Sequence, residues 1–443
     1  MVSAAEQLAA NLNFSAFAKA DELKKRIWFT LGALLVYRLG TYIPLPGIDP
    51  TVWQKVFNSQ AGGILGMFNM FSGGGIDRMA IFALNIMPYI SASIILQLLT
   101  SVSPKLEALK KEGEAGRKII NQYTRYLTVV LAFFQSYGIA VGLQGAGNVV
   151  TNPGMFFLIS TAITLTGGTM FLMWLGEQIT SRGIGNGISL IIMAGIVAEL
   201  PSALANMLEL GRQGALPPGI ILIVLIMVVA VIAFIVFMER AQRRLLIQYP
   251  KRQVGNKMFE GQSSHLPLKL NTSGVIPPIF ASSLLLLPTT VAQFNAGQGP
   301  EWLSVITTQL AHGRPLFLVL YVALIIFFAF FYTAIVFNPT ETADNLKKHG
   351  GFIPGIRPGE RTAEYIDYVL SRITVVGAIY LAVVCLVPEI LIAYASVPFY
   401  LGGTSLLIVV SVTMDTVAQV QGYLLAHQYE GLIKRSRLRG RLR

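Results

Sequence analysis

Long apolar segments recur along the whole chain, and each is close to 20 residues in length. At a rise of 1.5 Å per residue, a helix of about 20 residues crosses the hydrocarbon core of a bilayer, which is roughly 30 Å thick. Hydrophobic residues make up 53% of the chain and charged residues only 13%, a composition too apolar for a soluble domain. Because lipid offers no hydrogen-bond partner to open backbone groups, we predict an all-α integral membrane protein.

The apolar pattern predicts ten membrane-spanning helices. They lie near residues 27–43, 79–99, 126–143, 155–176, 184–201, 217–238, 272–293, 315–337, 373–393 and 399–420. The first follows Lys24, Lys25 and Arg26 and therefore resembles a signal peptide. The sequence after it, GTYIPLPGIDP, has no small-x-small cleavage site, so we interpret this segment as a retained span.

Basic residues fall almost entirely on one predicted side of the membrane. With the N-terminus in the cytoplasm, all but five of the 34 lysines and arginines lie in cytoplasmic tails and loops, as the positive-inside rule requires. The exceptions are Arg38, Lys55, Arg78, Arg212 and Arg314. An odd number of spans would place basic segments on both sides of the membrane. We therefore predict that both termini are cytoplasmic.

Two of the predicted cytoplasmic loops, residues 239–271 and 338–372, are long and basic. The second contains FIPGIRPGERT, whose prolines and glycines favour defined turns that hold Arg357 on a shaped tip. Membrane topology alone is one explanation of these charges. The alternative is a docking surface for an acidic partner, either the phosphates of ribosomal RNA or an acidic protein face.

Spans two and seven contain related sequences. MPYISASI (residues 87–94) and IPPIFASS (residues 276–283) share Pro, Ile, Ala and Ser at matching places. Chance similarity is one explanation, but these two spans cross in opposite directions, which is typical of an inverted repeat with its working site between the halves. The predicted halves are residues 1–210 and 211–443, with five helices each. The prolines and serines weaken the backbone hydrogen bonds of a helix. This weakening is typical of either a moving seam, meaning a mobile boundary between the halves, or a static kink.

A short apolar segment, residues 62–75 (GGILGMFNMFSGGG), precedes span two on the predicted outer side. It is too short to span a bilayer. Irregular backbone at membrane depth is tolerated only inside a protein-lined cavity, so a re-entrant or plugging segment fits this sequence. An amphipathic surface loop is the alternative.

The sequence lacks the motifs of enzymes and of nucleotide-driven pumps. It contains no phosphate-binding loop, no H-E-x-x-H motif and no plausible nucleophile constellation. The four histidines are scattered, and the single cysteine, Cys385, lies in span nine, so no metal, cofactor or disulfide is predicted. Charged residues fall toward span ends, which argues against ion-coupled transport but allows a passive conduit with an apolar barrier.

Many stretches of the chain resemble the SecY family of protein-conducting channels. In chain order they are GMFNMFSGG, IMPYISASII, QYTRYLTVVLAFFQS, GTMFLMWLGEQITSRGIGNGIS, SSHLPLKLN, GVIPPIFASS, FNPTETADNLKK, PGIRPGERT and PFYLGGTSLLIVV. The resemblance implies a channel subunit that passes unfolded secretory polypeptides across the cell inner membrane and releases hydrophobic segments sideways into it. A secondary transporter of a small solute and a scaffold without a pore are the alternatives.

The resemblance also implies roles for individual residues. A constriction ring would consist of Ile86, Ile90, Ile192, Ile279, Ser283 and Ile408, of which the serine departs from an aliphatic pattern. A plug would include Gly62, Gly66, Met67, Phe68, Asn69, Met70, Phe71 and Gly73. Ser91 and Leu287 would line a lateral gate, although family members often have an aromatic residue at the latter place.

The basic loops would, by the same resemblance, receive the SecA ATPase or the translating ribosome. The implied docking residues are Arg243, Arg244, Lys251, Arg252, Lys347, Lys348 and Arg357. Further implied partners are the SecE and SecG subunits, SecDF-YajC, YidC, membrane lipid, and the secretory and membrane proteins that are the substrates. No cofactor is implied, and energy would come from the ATPase or the ribosome, because the chain has no nucleotide-binding motif of its own.

Overall fold

Helices dominate the structure, which is a computed structural model. It describes residues 21–60, 69–145, 149–214, 217–250, 252–254, 257–259, 263–294, 309, 314–395 and 403–440. The chain forms two compact units. The first comprises Met1–Leu204, Thr289–Ser304 and Val412–Arg443, and the second comprises Ala205–Pro288 and Val305–Ser411.

The helices of the described residues are numbered in chain order. They are α1 (Asp21–Gly40), α2 (Pro50–Gln60), α3 (Met87–Val102), α4 (Pro104–Lys111), α5 (Glu114–Gly145), α6 (Met155–Arg182), α7 (Gly187–Arg212), α8 (Pro218–Arg240), α9 (Ile276–Phe294), α10 (Pro315–Val336), α11 (Pro339–Lys348), α12 (Glu360–Ala395) and α13 (Gly403–Gly440). Four strands lie between α8 and α9. They are β1 (Gln242–Gln248), β2 (Arg252–Val254), β3 (Lys257–Phe259) and β4 (Ser263–Lys269).

Seven helical segments of the described residues are long and apolar enough to cross a membrane. They are Glu114–Gly145, Met155–Arg182, Gly187–Arg212, Pro218–Arg240, Pro315–Lys348, Glu360–Pro388 and Gly403–Ala426. Met87–Val102 and Ile276–Leu285 are apolar but shorter. The prediction of a helical, multi-pass membrane protein is confirmed at this level. Each of the ten predicted spans overlaps a helix, and their number as membrane crossings stays a prediction.

Predicted span two begins as a helix later than its apolar sequence indicates. Residues 79–86 form turns with a few local hydrogen bonds, and part of their backbone pairs with a distant segment. The N–H of Ile81 donates to the carbonyl of Ile43 at 3.0 Å, and the N–H of Leu45 donates to the carbonyl of Met79 at 2.9 Å. These non-local bonds satisfy the polar backbone groups without a helix.

The prolines of the two related sequences lie at helix starts. Pro88 is in the first turn of α3, and Pro277 and Pro278 are in the first turn of α9. A missing N–H costs nothing in the first turn, because that group has no intrahelical partner anyway. A kink at these prolines is therefore not seen in α3 or α9, and the moving seam stays a prediction.

The apolar core of the first unit lies beneath the short helix α2. Trp53 and Phe57 are buried against side chains of α5, α6 and the turns before α3. The indole N–H of Trp53 donates to the carbonyl of Ile76 at 2.7 Å. Before α2, the carboxylate of Asp49 accepts the N–H of Thr51 at 2.9 Å and its hydroxyl at 2.6 Å. These bonds lower the pKa of Asp49.

The turn between α6 and α7 is held by hydrogen bonds to α1 and to α13. The N–H of Ile184 donates to the hydroxyl of Thr30 on α1 at 3.1 Å. The N–H of Gly185 donates to the side chain of Gln419 on α13 at 2.9 Å. The carbonyl and side chain of Asn186 then cap the start of α7. This arrangement sets the position of α7, which carries residues of the candidate site.

Candidate functional site

In the first unit, the predicted ring residues are buried isoleucines. Ile86 is the N-cap residue of α3, and Ile90 lies one turn later, with its N–H donating to the carbonyl of Ile86 at 3.1 Å. A spacing of four residues places both on one face of the chain. Ile192 lies on α7, and the three side chains are exposed by 1%, 6% and 6%. Their apolar surfaces could form one side of a constriction.

In the second unit, the predicted ring residues are Ile279 and Ser283 on α9 and Ile408 on α13. Ile279 is half-buried, and the other two are buried. Ile279 and Ser283 again share a helix face by their spacing of four. The hydroxyl of Ser283 has no hydrogen-bond partner in the described part of the chain. A buried unpaired hydroxyl is costly, so this position differs physically from its aliphatic neighbours.

Ile90 and Ile279 occupy equivalent places in two helices. Each is the fourth residue of its helix, since α3 begins at Met87 and α9 at Ile276. Both follow a proline of the first turn. Each unit therefore has an isoleucine at the fourth position of the helix that contains the related sequence.

The predicted plug is described only in its second part. Gly62, Gly66, Met67 and Phe68 lie outside the described residues, whereas Asn69, Met70, Phe71 and Gly73 lie within them. Residues 69–72 form a helical turn, and Met70 and Phe71 are buried. Gly73 and Gly74 end this turn with φ values of +65° and +80°. Such values favour glycine because it has no Cβ.

Three consecutive carbonyls of this segment accept hydrogen bonds from side chains of the first unit. The amide of Asn85 donates to the carbonyl of Phe71. The hydroxyl of Tyr37 on α1 donates to the carbonyl of Ser72 at 3.2 Å. The guanidinium of Arg38 donates to the carbonyl of Gly73. We call Tyr37, Arg38 and Asn85 the carbonyl latch.

No role for the residues of the carbonyl latch was predicted from the sequence. Only Arg38 gave a signal, as one of the five basic residues on the predicted outer side. Tyr37 and Asn85 contact carbonyls 35 and 14 residues away in the chain. No local pattern of the sequence indicates such pairs.

The predicted lateral-gate residues lie on α3 and α9. Ser91 is buried on α3, next to Ile90. Leu287 lies within α9, and its side chain falls outside the described residues. The gate itself stays a prediction.

The two long basic loops of the second unit fold into one structure, which we call the basic platform (residues 242–248, 263–269 and 337–366). β1 and β4 pair antiparallel, with Leu245 opposite Leu266. Gln248 at the end of β1 exchanges backbone hydrogen bonds with Phe352 of the second loop, at 2.9 and 3.0 Å. The two loops are therefore tied together, although 104 residues separate the bonded pair.

An apolar core lies inside the basic platform. Leu245, Leu268, Ile353 and Ile366 are its buried members. Ile366, on α12, has no exposed surface. Burial of this kind stabilises a small structure by about 1.5–3 kcal/mol per large side chain. The order of the platform thus depends on apolar contacts and not on its charges.

The predicted docking cations lie on the outside of the basic platform. Arg243, Arg244, Lys347, Lys348 and Arg357 are all exposed. None of the five forms an ion pair with another described residue. Lys251 and the side chain of Arg252 fall outside the described residues.

The tip that carries Arg357 has defined turn geometry. Gly355 and Gly359 have φ values of +81° and +112°. The hydroxyl of Thr362 donates to the carbonyl of Arg357 at 2.9 Å. The expectation of a shaped tip agrees with these contacts. Within the part of the chain that the structure describes, no cluster of His, Cys, Asp and Glu side chains could hold a metal ion.

Comparison with known proteins places this chain among protein translocase subunits. The SecY family pattern matches residues 80–417. The protein translocase subunit SecY of Escherichia coli strain K12 is 57% identical over 430 residues, which cover 96% of this chain and 97% of that protein. This chain belongs to the SecY family. Its curated relatives are named protein translocase subunits, so the chain is a protein-conducting channel subunit and not a transporter of small solutes.

Solved structures with the same fold are more distant in sequence. A structure described as showing that the plug domain of SecY stabilises the closed state has a TM-score of 0.64 at 20% identity, covering 90% of this chain and 92% of that chain. Sec61 in a canine ribosome–channel complex has a TM-score of 0.61 at 18% identity, with the same coverage. At these identities the likeness shows the fold alone.

Proposed function

We propose that this chain is the central subunit of a channel that passes unfolded secretory polypeptides across the cell inner membrane and releases hydrophobic segments into it. The observation that carries this proposal is the equivalent placement of Ile90 and Ile279 in α3 and α9. Isoleucines contributed by both halves would form an apolar, deformable constriction. Such a ring offers a passing chain no fixed hydrogen bonds, yet it denies water and ions a continuous path.

The proposed architecture has ten spans in two inverted halves, residues 1–210 and 211–443, with both termini in the cytoplasm. Ile86, Ile90, Ile192, Ile279, Ser283 and Ile408 would line the constriction, and residues 62–75 would plug it. Ser91 and Leu287 would lie along the lateral gate. An apolar segment of about 20 residues would leave by this gate, because its transfer to lipid is favourable, whereas a charged residue costs roughly 2.5–3.5 kcal/mol at the helix centre.

The proposed energy source is a partner, because the sequence contains no nucleotide-binding motif. The exposed cations of the basic platform would bind the SecA ATPase or the ribosome, whose surfaces supply carboxylates or phosphates. A ribosome as partner is supported by the fold likeness to the canine ribosome–channel complex. SecE and SecG would complete the channel, and SecDF-YajC and YidC would be further partners.

The proposal is tested by placing a photo-reactive amino acid at Ile90 and at Ile279 in inner-membrane vesicles that also contain SecE, SecG and SecA. A stalled preprotein is expected to crosslink to both positions. The matched control is Val229 on α8, whose side chain is 67% exposed in the structure and would face lipid. Absence of crosslinks at both isoleucines, while the preprotein reaches the vesicle lumen, would contradict the proposed path.

The apolar ring is tested separately by Ile86→Gly combined with Ile408→Gly. We expect this variant to conduct ions in the absence of substrate, since glycine removes the side chains that exclude water. A scaffold without a pore predicts no change in conductance. Ion current across a planar bilayer distinguishes the two.

A further inference from the structure

We propose that the carbonyl latch holds the C-terminal end of the plug segment in the closed channel, and that Arg38 is a positioning residue for this closed state. The inference rests on the proposed function and deepens it. It assigns a role to an arginine of the predicted outer side that is otherwise explained only as an exception to the charge pattern.

The backbone of the plug segment needs hydrogen-bond donors where its helical turn ends. The chain turns sharply at Gly73 and Gly74, both with positive φ, so the helical turn of residues 69–72 ends there. Carbonyls at the end of a helical turn lose their partners and need other donors. The three carbonyls of residues 71–73 receive them from three different side chains. The carbonyl latch therefore supplies the hydrogen-bond donors that the end of the helical turn lacks.

Arg38 is the strongest of the three donors. It carries a full charge, and charge-assisted hydrogen bonds are roughly twice as strong as neutral ones. A cation at the carbonyl end of a helical turn is also favoured by the turn's dipole. The guanidinium is oriented by the hydroxyl of Tyr42 at 3.1 Å and lies over the ring of Tyr42 at 4.9 Å.

Tyr37 is fixed even more tightly than Arg38. Its side chain has no exposed surface, and its ring stacks on Phe82 with centroids 6.4 Å apart. The hydroxyl therefore has little freedom and points at the carbonyl of Ser72. Because Tyr37 and Arg38 both belong to α1, the plug end is attached to the first predicted span.

Helix α7 packs against the other side of the plug end, by which we mean residues 71–73. A Cβ placed on Gly73 would lie 2.9 Å from the Cα of Gly195, and a Cβ placed on Gly195 would lie 2.8 Å from the carbonyl oxygen of Phe71. The two backbones are thus in direct contact. Gly195 lies three residues after Ile192, on the same face of α7. The carbonyl latch therefore holds residues 71–73 in contact with α7, the helix that carries Ile192.

Displacement of the plug end requires the carbonyls to leave the latch. A hydrogen bond to a charged group stabilises the state that contains it, and its loss shifts the ratio of closed to open channels about tenfold. We therefore expect a weakened latch to open channels that carry no substrate.

The test uses Arg38→Gln in the complete channel complex, with Arg78→Gln as the matched control. Arg78 also lies over the ring of Tyr42, at 4.2 Å, and next to Gly74, but it makes none of the three carbonyl hydrogen bonds. Both variants remove one positive charge beside Tyr42. Tyr37→Phe is the second variant, since it removes a single hydroxyl and keeps the stacked ring.

Two measurements are made on each variant. Hydrogen exchange at the amides of Gly73 and Gly74, which bond to the carbonyls of Met70 and Asn69 at 3.3 and 3.0 Å, reports whether the latch holds the segment. Ion current without substrate reports whether the channel is closed. For Arg38→Gln we expect about tenfold faster exchange and about tenfold more current, and for Tyr37→Phe about threefold, with Arg78→Gln close to wild type.

The outcomes separate the latch from the channel proposal. Unchanged exchange in both latch variants would overturn the latch. Faster exchange with unchanged current would show that the segment is held without controlling closure, which also overturns the proposal. Equal changes in Arg78→Gln would assign the effect to charge alone and overturn the role of the hydrogen bond. Failure of wild-type vesicles to import any preprotein would instead count against the channel function, whatever the exchange rates are.

Discussion

Arg38 in the first unit and Arg357 in the second unit are both cationic, but their surroundings are opposite. Arg38 is half-buried, stacks on Tyr42 and donates to a backbone carbonyl. Arg357 is exposed on a loop tip and forms no ion pair with any other described residue. A cation whose neighbours are fixed holds a segment of its own chain in place. A cation on an ordered, exposed tip can contact a partner.

The two regions also differ in what keeps them folded. The plug end is held by side-chain hydrogen bonds to carbonyls, so a change in the carbonyl latch changes conformation. The basic platform is held by Leu245, Leu268, Ile353 and Ile366, beneath its charges. Its cations can therefore be changed without loss of the fold. Four predictions test this difference, in order of decreasing expected effect.

The first prediction concerns the core of the basic platform. Ile366→Ala leaves a cavity at a fully buried site and is expected to lower the free energy of unfolding of the platform by about 2–5 kcal/mol. Protease cleavage between β1 and β4 measures the loss. The control is Tyr368→Ala on the same helix, where the side chain is 53% exposed and the expected cost is about 1 kcal/mol. If both variants resist the protease equally well, the apolar core does not stabilise the platform.

The second prediction concerns docking. Arg357→Glu is expected to reduce SecA-driven export about 30-fold, because a reversed charge repels the acidic surface that the wild-type residue attracts. Assembly with SecE and SecG should be unchanged, since the platform core is intact. Arg357→Lys keeps the charge and should lose much less. Normal ATP-dependent import of a preprotein by the glutamate variant would remove the docking role.

The sequence predicted where the long apolar helices lie, because a helix in lipid must satisfy its own backbone, and this requirement leaves an apolar run of about 20 residues. The same reasoning failed at residues 79–86, which are apolar but pair with residues 43–45. Hydropathy does not detect a backbone partner that is distant in the chain. Positive φ values at Met79 and Asn85 also interrupt any helix there.

Prediction of the functional regions had the same limit. The glycines and prolines around Arg357 indicated an ordered tip, because turn chemistry is local. The shared core of the two loops was not predicted, since its buried members Leu245, Leu268, Ile353 and Ile366 are distant in the chain. The carbonyl latch was missed for the same reason. Nothing in the sequence pointed to Gly195, and only the structure shows residues 71–73 against it.

The third prediction tests the plug end from the side of α7. Gly195→Ala places a Cβ 2.8 Å from the carbonyl oxygen of Phe71 and 2.9 Å from the hydroxyl of Tyr37, so one of them must move. Overpacking of this kind typically costs about 1–3 kcal/mol, and we expect about tenfold more ion current without substrate. Gly167→Ala on α6 is the control, because a Cβ there meets nothing within 4 Å. A sealed channel in the Gly195 variant would show that this contact is not needed for closure.

The last prediction separates the two uses of charge by salt. Lys347 is exposed, so Lys347→Ala is expected to weaken partner binding only two- to threefold at ~0.05 M salt, and the difference should disappear at ~0.5 M, where charges are screened beyond about 4 Å. The half-buried bond of Arg38 is screened much less, so ion current through the wild-type channel should stay low at both concentrations. If high salt alone opened the channel as strongly as Arg38→Gln does, the latch would depend on long-range charge and not on its hydrogen bond. The contrast between Arg38 and Arg357 would then be one of degree.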